Sequence, residues 1–226
     1  MSRDLPRLIV AIDGPAGAGK STLARALATA LGYIYVDSGA MYRVVGLAAC
    51  ERGIDPAAAV ALAALVDGLD FALLPDPAGQ RVVLEGRDVT DALRTPTAGE
   101  WASRVAAMPE VRSRLVAHQR RLGADGGIVM DGRDIGTVVF PAADCKFFVT
   151  ASPAERARRR AREVGASEAD LATIQQQIEA RDRRDSERAH APLRVASDAE
   201  TVDTTGLTAE EAVAQLLKRV LERARA

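Results

Sequence analysis

The feature that most constrains this chain is a glycine-rich turn that follows a short apolar run near its start. The run, 7–12, is rich in branched side chains, which is typical of a buried parallel strand. The turn continues as Gly-Pro-Ala-Gly-Ala-Gly-Lys-Ser over 14–21 and matches the pattern G-x-x-x-x-G-K-S/T. A helix is predicted from Lys20, because leucines recur every four residues as far as Leu31. A turn of this kind between a strand and a helix predicts a phosphate-binding loop.

The chemistry of such a loop explains its affinity for phosphate. Glycines let the backbone curl so that successive N–H groups point inward, and the start of the helix adds a partial positive charge. The ammonium group of Lys20 is expected to reach the β- and γ-phosphates of a nucleotide, and the hydroxyl of Ser21 to ligate Mg²⁺. The alternative is a glycine-rich turn with a surface lysine. The residues predicted to bind the phosphates are Gly14, Pro15, Ala16, Gly17, Ala18, Gly19, Lys20, Ser21 and Thr22.

Strands and helices are predicted to alternate along most of the chain. Further strands are predicted at 33–36, 128–130, 146–150 and 201–204. Helices are predicted at 38–49, 56–66, 105–122 with a break at Pro109, 153–164, 167–189 and from Thr208 onward. This alternation predicts an α/β fold with a parallel sheet and helices on both faces.

Two local features add to this pattern. The region 69–95 predicts a small hairpin with a turn at 75–79, which does not fit the alternation and is interpreted as an insertion. The segment 152–155 has the pattern of a capping box with Pro at the first helical position, and 208–211 is expected to cap the last helix.

Composition narrows the class of protein. The chain has 30 Lys and Arg against 31 Asp and Glu, so its formal net charge of −1 gives no overall attraction to nucleic acid or to an anionic membrane. The longest apolar run, 57–66, is too short to span a bilayer, and residues 1–13 hold no signal-peptide core. Cys50 and Cys145 lie far apart, and we expect them to be buried small hydrophobic residues in a cytosolic protein with reduced thiols.

Arginine makes up 27 of the 30 cationic residues and is clustered in two segments. Five arginines lie within 156–162 and four within 181–188, where Arg181, Arg184 and Arg188 share one face of a helix. Moving a phosphoryl group between two phosphorylated molecules brings several negative charges together, and arginines neutralise them. The alternative is a solvated helix with salt bridges. The GTP-binding signature N-K-x-D does not occur in the sequence.

Four blocks of sequence together resemble the bacterial cytidylate kinases. They lie at 12–22, 37–43, 131–137 and 181–188, in the order and spacing of that family, and the resemblance covers essentially the whole chain. It implies a P-loop kinase three-layer fold with a parallel sheet in a single domain, 1–226. It also implies a nucleoside-monophosphate-binding insertion at about 62–105 and a helical lid at about 155–172.

The same resemblance implies transfer of the γ-phosphoryl group of ATP to CMP or dCMP, with Mg²⁺ as cofactor. The residues that it implies for catalysis are Lys20, Arg133, Arg156 and Arg160, the last two on the lid. The residues that it implies for CMP are Arg43, Arg133, Arg181 and Arg188 at the phosphate, Ser103, Arg112 and Asp134 at the cytosine, Asp185 at the ribose, and Ser38 in the same pocket. A carboxylate at position 134 can accept a hydrogen bond from the exocyclic amine of cytosine, which uracil lacks.

Three roles near the metal stay open. Many members of the family have Gly after the loop lysine, whereas this chain has Ser21 and Thr22, and either hydroxyl can meet the metal. Asp37 is expected either to bridge to Mg²⁺ through water or to cap the following helix. Asp131 ends a predicted strand and is a candidate for the metal shell.

Two other classes of function are alternatives. A related kinase would act on AMP, UMP or shikimate. A nucleotide-dependent switch or a DNA-associated ATPase would use the same loop without this transfer, but the near-zero net charge and the missing GTPase signature argue against that class. We expect a monomeric cytoplasmic kinase of the resembled family, with no nucleic-acid or membrane partner.

Overall fold

The computed structural model describes residues 5–76 and 79–225. The chain divides into two compact units, one formed by the chain up to Ile34 and from Gly126 onward, the other by Tyr35–Asp125. Residues 1–4 belong to the segment searched for a signal peptide, and Pro77 and Ala78 belong to the predicted hairpin turn. Those six residues lie outside the described residues.

Strands and helices alternate along the chain. The strands are β1 (Ile9–Asp13), β2 (Ile34–Asp37), β3 (Phe71–Asp76), β4 (Gly79–Leu84), β5 (Arg87–Asp88), β6 (Ile128–Gly132), β7 (Cys145–Thr150) and β8 (Glu200–Asp203). The helices are α1 (Lys20–Leu31), α2 (Ser38–Glu51), α3 (Ala59–Gly68), α4 (Pro96–Val105), α5 (Pro109–Leu122), α6 (Pro153–Val164), α7 (Leu171–Glu187) and α8 (Ala209–Arg223). Short 3₁₀ turns lie at Ala92–Arg94 and Glu168–Asp170, and a π-helical turn lies at Ile135–Val139.

The main sheet has the strand order β2-β6-β1-β7-β8. β1 pairs in parallel with β6 and with β7, and β7 pairs in parallel with β8. Val10 and Ile12 on β1 are fully buried, which explains why this central strand is an uninterrupted apolar run in the sequence. The predicted α/β fold with a parallel sheet is confirmed.

Helices flank this sheet. α1 packs against β6 and α8, and α8 packs against β7. The leucine face predicted for α1 is buried, and the helix ends at Gly32, whose left-handed φ of 67° suits glycine. α8 begins with a complete capping box, in which the hydroxyl of Thr208 accepts from the N–H of Glu211 and the Glu211 carboxylate accepts from the N–H of Thr208.

The unit Tyr35–Asp125 contains α2 to α5 and an antiparallel sheet of order β3-β4-β5. The predicted hairpin is confirmed, with Phe71 opposite Leu84, but its strands extend through Asp76 and from Gly79, so the turn predicted at 75–79 is too long. β5 adds a third strand. α2 packs against α4, and α3 packs against α5. A Cβ at Gly46 would lie 2.7 Å from the Cβ of Trp101, so glycine allows α2 and α4 to approach closely.

Several helix predictions have different bounds in the structure. The helix predicted over 105–122 is preceded by a separate helix, α4, and starts only at Pro109, since proline cannot continue a helix but suits its first turn. α4 itself begins after Thr95, whose hydroxyl accepts from the N–H of Ala98. α3 starts at Ala59 rather than at position 56, and α7 ends at Glu187 rather than at 189.

The capping box predicted for α6 is only half formed. The hydroxyl of Ser152 accepts from the N–H of Glu155 at 3.3 Å, as predicted. The N–H of Ser152 instead donates to the hydroxyl of Thr205, and the Glu155 carboxylate pairs with Arg158 and Arg159. Because Thr205 and the two arginines of α6 bind these groups instead, the reciprocal hydrogen bond from the N–H of Ser152 to the Glu155 carboxylate does not form.

Both cysteines carry free thiols, but their environments differ. Cys145 is buried on β7, as predicted, whereas Cys50 is exposed in the last turn of α2, so that prediction is wrong for Cys50. Within the described residues, no helix is both long enough and apolar enough to cross a membrane.

Candidate active site

The glycine-rich sequence forms the connection between the end of β1 and the start of α1. Its glycines have positive φ angles of 149° at Gly14, 74° at Gly17 and 88° at Gly19, which residues with a side chain rarely adopt. A Cβ at Gly14 would lie 2.0 Å from the carbonyl oxygen of Val149, and one at Gly17 would lie 3.1 Å from that of Arg156. The loop therefore needs glycine both for its backbone angles and for the close approach of neighbouring backbone.

Lys20 is the first residue of α1, and its side chain is buried. Its Nζ donates a hydrogen bond of 2.7 Å to the carbonyl oxygen of Pro15, which directs the ammonium group back over the loop. Burial and the positive charges of Arg133 and Arg181 lower the pKa of Lys20 to about 7, and the carboxylate of Asp131 opposes that fall. An anion bound beside Lys20 would raise its pKa again, because the ammonium group and the anion stabilise each other.

Ser21 and Asp131 meet beside the loop. The hydroxyl of Ser21 donates to Oδ2 of Asp131 at 2.8 Å, although the two residues are 110 positions apart in the sequence. Asp131 lies on β6, and Ser21 lies in the first turn of α1, so the parallel pairing of β1 with β6 brings them together. A hydroxyl and a carboxylate beside a phosphate loop are oxygen donors of the kind that Mg²⁺ prefers.

Asp13 is a further candidate site residue, which was not predicted from the sequence. It ends β1, is 5% exposed, and accepts hydrogen bonds from the N–H groups of Ile135 at 2.8 Å and of Gly136 at 2.7 Å. Burial raises the pKa of Asp13 to about 6, although these two hydrogen bonds oppose the rise. The Asp13 carboxylate thus caps the π-helical turn that begins directly after Asp134. Because Asp13 directly precedes Gly14, this contact fixes the turn beside the start of the glycine-rich loop. The sequence feature that could have indicated Asp13 is its position directly before the glycine motif.

Arginine and carboxylate side chains form a cluster in the same unit. Nε of Arg133 donates to Asp185 at 2.9 Å, and Arg188 lies 3.5 Å from the carboxylate of Asp134. Burial raises the pKa of Asp185, but the charges of Arg133, Arg181 and Arg188 outweigh it and hold that pKa below its ordinary value. The structure therefore brings together the five predicted CMP-binding residues of this unit.

The arginines of the predicted lid differ in what they contact. Arg156 is buried and donates to the carbonyl oxygens of Ala151 and Ala16, each at 3.1 Å, so it lies directly against the phosphate loop. Arg160 pairs with Glu163 on its own helix at 2.9 Å. Arg159, which was not among the predicted site residues, donates to the carbonyl oxygen of Ala18 at 3.3 Å and pairs with Glu155. Two arginines of the 156–162 cluster, Arg156 and Arg159, are therefore hydrogen-bonded to the loop.

The remaining predicted site residues belong to the unit Tyr35–Asp125. Arg43 pairs with Asp37 at 3.2 Å, and Asp37 caps α2 by accepting from the N–H of Ala40 at 3.0 Å. Of the two roles left open for Asp37, the structure shows the cap. Buried Ser38 is the first residue of α2. The Arg112 guanidinium lies 5.6 Å from the centre of the Tyr42 ring, and Ser103 is half-buried on α4.

Comparison with known proteins identifies the family. The family model described as cytidylate kinase matches residues 10–222. The chain is 51% identical over 214 residues to the cytidylate kinase of Exiguobacterium sibiricum, with 94% of this chain and 96% of that protein covered. It is 48% identical over 221 residues to the cytidylate kinase of Geobacter sulfurreducens, with 97% of this chain and 95% of that protein covered.

A likeness to a solved structure concerns the fold alone. An uncharacterized protein of Eubacterium ventriosum has a TM-score of 0.55 at 10% sequence identity, over 96% of this chain and 99% of that one. The family match spans all four sequence blocks that carried the resemblance, and the relatives are similar over nearly their full lengths. The predicted family and enzyme class are confirmed: the chain belongs to the cytidylate kinase family.

Proposed function

We propose that this protein transfers the γ-phosphoryl group of ATP to CMP and to dCMP. The observation that carries the proposal is the loop 14–21 with buried Lys20, in one unit with the paired side chains of Arg133, Asp185 and Arg188. The loop is suited to one polyphosphate, and the arginines are suited to a second phosphorylated molecule. Membership of the cytidylate kinase family supports CMP as that second molecule.

ATP is assigned to the phosphate loop. The proposed ATP-binding residues are Gly14, Pro15, Ala16, Gly17, Ala18, Gly19, Lys20, Ser21 and Thr22. Each of them except proline carries a backbone N–H group. Lys20 places a positive charge where negative charge develops as the γ-phosphoryl group moves. A bound anion would stabilise the protonated form of Lys20 and raise its pKa from about 7.

Mg²⁺ is the cofactor that such a transfer requires, and the residues present fit it. Within 5–76 and 79–225, no group of three His, Cys, Asp or Glu side chains could hold a metal by itself. That suits an ion bound mainly by the phosphates of ATP and by one or two protein oxygens. Ser21 would hold the ion, and Asp131 would orient the Ser21 hydroxyl. When bound, Mg²⁺ neutralises charge on the phosphates.

CMP is assigned to the residues that the family resemblance implies. Arg43, Arg133, Arg181 and Arg188 would bind its phosphate, Ser103, Arg112 and Asp134 its cytosine, and Asp185 its ribose, and Ser38 is assigned to the same ligand. Guanidinium groups suit phosphate because they bind it through two parallel hydrogen bonds. The pairing of Arg133 with Asp185, and of Arg188 with Asp134, supports this assignment, since each pair fixes a cation that a phosphate can share.

The chemistry needs positioning and charge neutralisation rather than a covalent intermediate. Attack by the CMP phosphate is in line with the leaving ADP, and Lys20, Arg133, Arg156 and Arg160 are proposed to offset the developing charge. We further propose a single domain 1–226 with an insertion at about 62–105 and a lid at about 155–172. The enzyme is proposed to act as a monomer in the cytoplasm, with neither nucleic acid nor membrane as a partner.

The test uses two of the chain's three lysines. Lys20→Ala should lower the rate of CMP-dependent ADP release by about a hundredfold or more, because a fixed charge at the transferring group is lost. Lys218→Ala is the matched control, since Lys218 is exposed on α8 and should leave the rate unchanged. Near-normal turnover by a folded Lys20→Ala variant would contradict the proposed role of the loop.

A further inference from the structure

Ala16 in the middle of the phosphate loop is held from three directions by α6 and α7. Its N–H donates to Oδ1 of Asp182 at 2.9 Å, and its carbonyl oxygen accepts from Arg156 at 3.1 Å. Its methyl group packs against an apolar cluster of α6 and α7, formed by Ala157, Ala161, Ile174 and Ile178. The loop therefore rests on these two helices as well as on β1 and α1.

Asp182 and Arg156 complete a closed ring of polar contacts around Ala16. Oδ2 of Asp182 accepts from Nη1 of Arg156, the same nitrogen that donates to the Ala16 carbonyl. The side chains of Arg156 and Asp182 are only 8% and 16% exposed, so this ion pair is largely withdrawn from water. Breaking it would leave a poorly hydrated charge, which holds the ring in one arrangement.

The charge of Asp182 is opposite to what a phosphate site favours. A carboxylate one hydrogen bond away from a loop that binds ATP repels its phosphates, and the charges of Arg156 and of the nearby Arg133 offset this repulsion only in part. The carboxylate also takes the Ala16 N–H for itself, so in this arrangement that group is directed at α7 rather than at a phosphate. Because the negative charge of Asp182 disfavours phosphate binding, we expect Asp182 to act by fixing the geometry of the loop.

We propose that Asp182 is a positioning residue of the ATP site, which orients the phosphate loop at Ala16 and holds Arg156 against it. The inference rests on the proposed function, because it assigns ATP to the loop. Asp182 acts through the backbone of Ala16 and does not itself touch substrate. Asp182 joins the phosphate loop to α7, the helix that also carries Arg181 and Asp185.

A geometric and a purely electrostatic role predict opposite signs for ATP binding. Asp182→Ala removes both the charge and the acceptor for the Ala16 N–H, so the loop should loosen and the Kd of a fluorescent ATP analogue should rise about tenfold, the effect of one hydrogen bond. Asp182→Asn removes the charge but keeps an acceptor oxygen, and it should recover most of that loss. If Asp182 acted only through its charge, both variants would bind the analogue more tightly than the wild-type protein does.

The experiment measures analogue binding by the full-length wild-type protein and by the three variants, without CMP. Glu179→Gln, one turn earlier on α7, is the control and should bind as the wild-type protein does. Steady-state rates should then show the Asp182→Ala defect in the KM for ATP and not in the KM for CMP. Circular dichroism and thermal melting establish that each variant is folded, and the Asn variant keeps the test decisive if the Ala variant is not.

The outcomes distinguish a failure of the role of Asp182 from a failure of the proposed function. Weaker binding by Asp182→Ala with recovery by Asp182→Asn supports the positioning role. Equal or tighter binding by both variants, or an equal rise in both KM values, would overturn the role of Asp182 alone. A wild-type protein that does not bind the analogue would overturn the proposed function, and the inference with it.

Discussion

The hydroxyl of Ser21 and the carboxylate of Asp131 are joined by a 2.8 Å hydrogen bond between the first turn of α1 and the end of β6. The contact decides how two residues with separately predicted roles are related. Because the Ser21 hydroxyl donates to Asp131, its oxygen lone pairs remain available to a cation. The pair therefore supports Ser21, rather than Thr22, as the residue that holds Mg²⁺.

Metal dependence should separate the two hydroxyls. Ser21→Ala should raise the Mg²⁺ concentration needed for half-maximal activity by about tenfold, since one oxygen ligand is lost, and Asp131→Asn should raise it less. Thr22→Ala is the matched control and should leave the Mg²⁺ dependence unchanged. The measurement is a Mg²⁺ titration of activity at fixed ATP, and a larger effect for Thr22→Ala would reassign the metal to Thr22.

Asp13 should make stability depend on pH in a definite window. Its pKa in the folded protein is about 6, above its ordinary value of 3.8, so the folded protein binds a proton more readily than the unfolded chain between these values. The contribution of Asp13 to the free energy of unfolding therefore falls as pH rises from about 4 to 6, by up to about 3 kcal/mol, and is level above that range.

Urea denaturation of the wild-type protein and of Asp13→Asn at several pH values tests this window. The stability of the wild-type protein relative to the variant should decrease from pH 4 to pH 6 and then stay constant, because asparagine does not titrate there. If the free energies of unfolding of the two proteins differ by the same amount at every pH, burial does not raise the pKa of Asp13.

Gln119 identifies a place where the fold can be made more stable. It is 1% exposed on α5, and within the described residues neither atom of its amide group has a hydrogen-bond partner. Burying an unpaired amide costs about 1–3 kcal/mol, so Gln119→Met, which keeps the length of the side chain, should raise the Tm by a few degrees. Calorimetry measures this, with Gln215→Met at an exposed position of α8 as the control. A lower Tm for Gln119→Met would mean that the amide has a stabilising partner.

Asp134 should determine the choice of base. Asp134→Ala should raise the KM for CMP much more than the KM for ATP, because the acceptor for the exocyclic amine of cytosine is lost. The preference for CMP over UMP should narrow by about tenfold or more. Asp134→Asn keeps an acceptor oxygen and should retain more of the preference. Unchanged selectivity in Asp134→Ala would move recognition of the base to Ser103 and Arg112.

Local patterns were sufficient for most of the fold. The glycine motif, the leucine spacing of α1 and the branched apolar strands depend on residues close in sequence, and the structure has the predicted elements at those places. The errors lie where residues distant in sequence, or the packing of the fold, decide between local alternatives. Ser152 caps α6 but gives its own N–H to Thr205, and Cys50 falls on the exposed side of the last turn of α2. Neither outcome is encoded in the neighbouring residues alone.

The connections within the site could not be predicted in the same way. Asp13, Asp131 and Asp182 bind partners that are 122, 110 and 166 positions away in the sequence. Many carboxylates occur in the chain, and only the pairing of β1 with β6 and the packing of α6 on α7 select these three. Sequence identified the residue types that such a site needs, and the fold selected which carboxylates hold the loop.

The range of nucleoside monophosphates that the purified protein phosphorylates decides the proposed function. With ATP and Mg²⁺, kcat/KM should be highest for CMP and dCMP and lower by about tenfold or more for UMP and AMP, with CDP and dCDP formed in step with ADP. Product identity is read by ion-exchange chromatography, and ADP release by a coupled assay. Faster phosphorylation of AMP or UMP than of CMP and dCMP, or ATP hydrolysis without formation of CDP, would contradict the account.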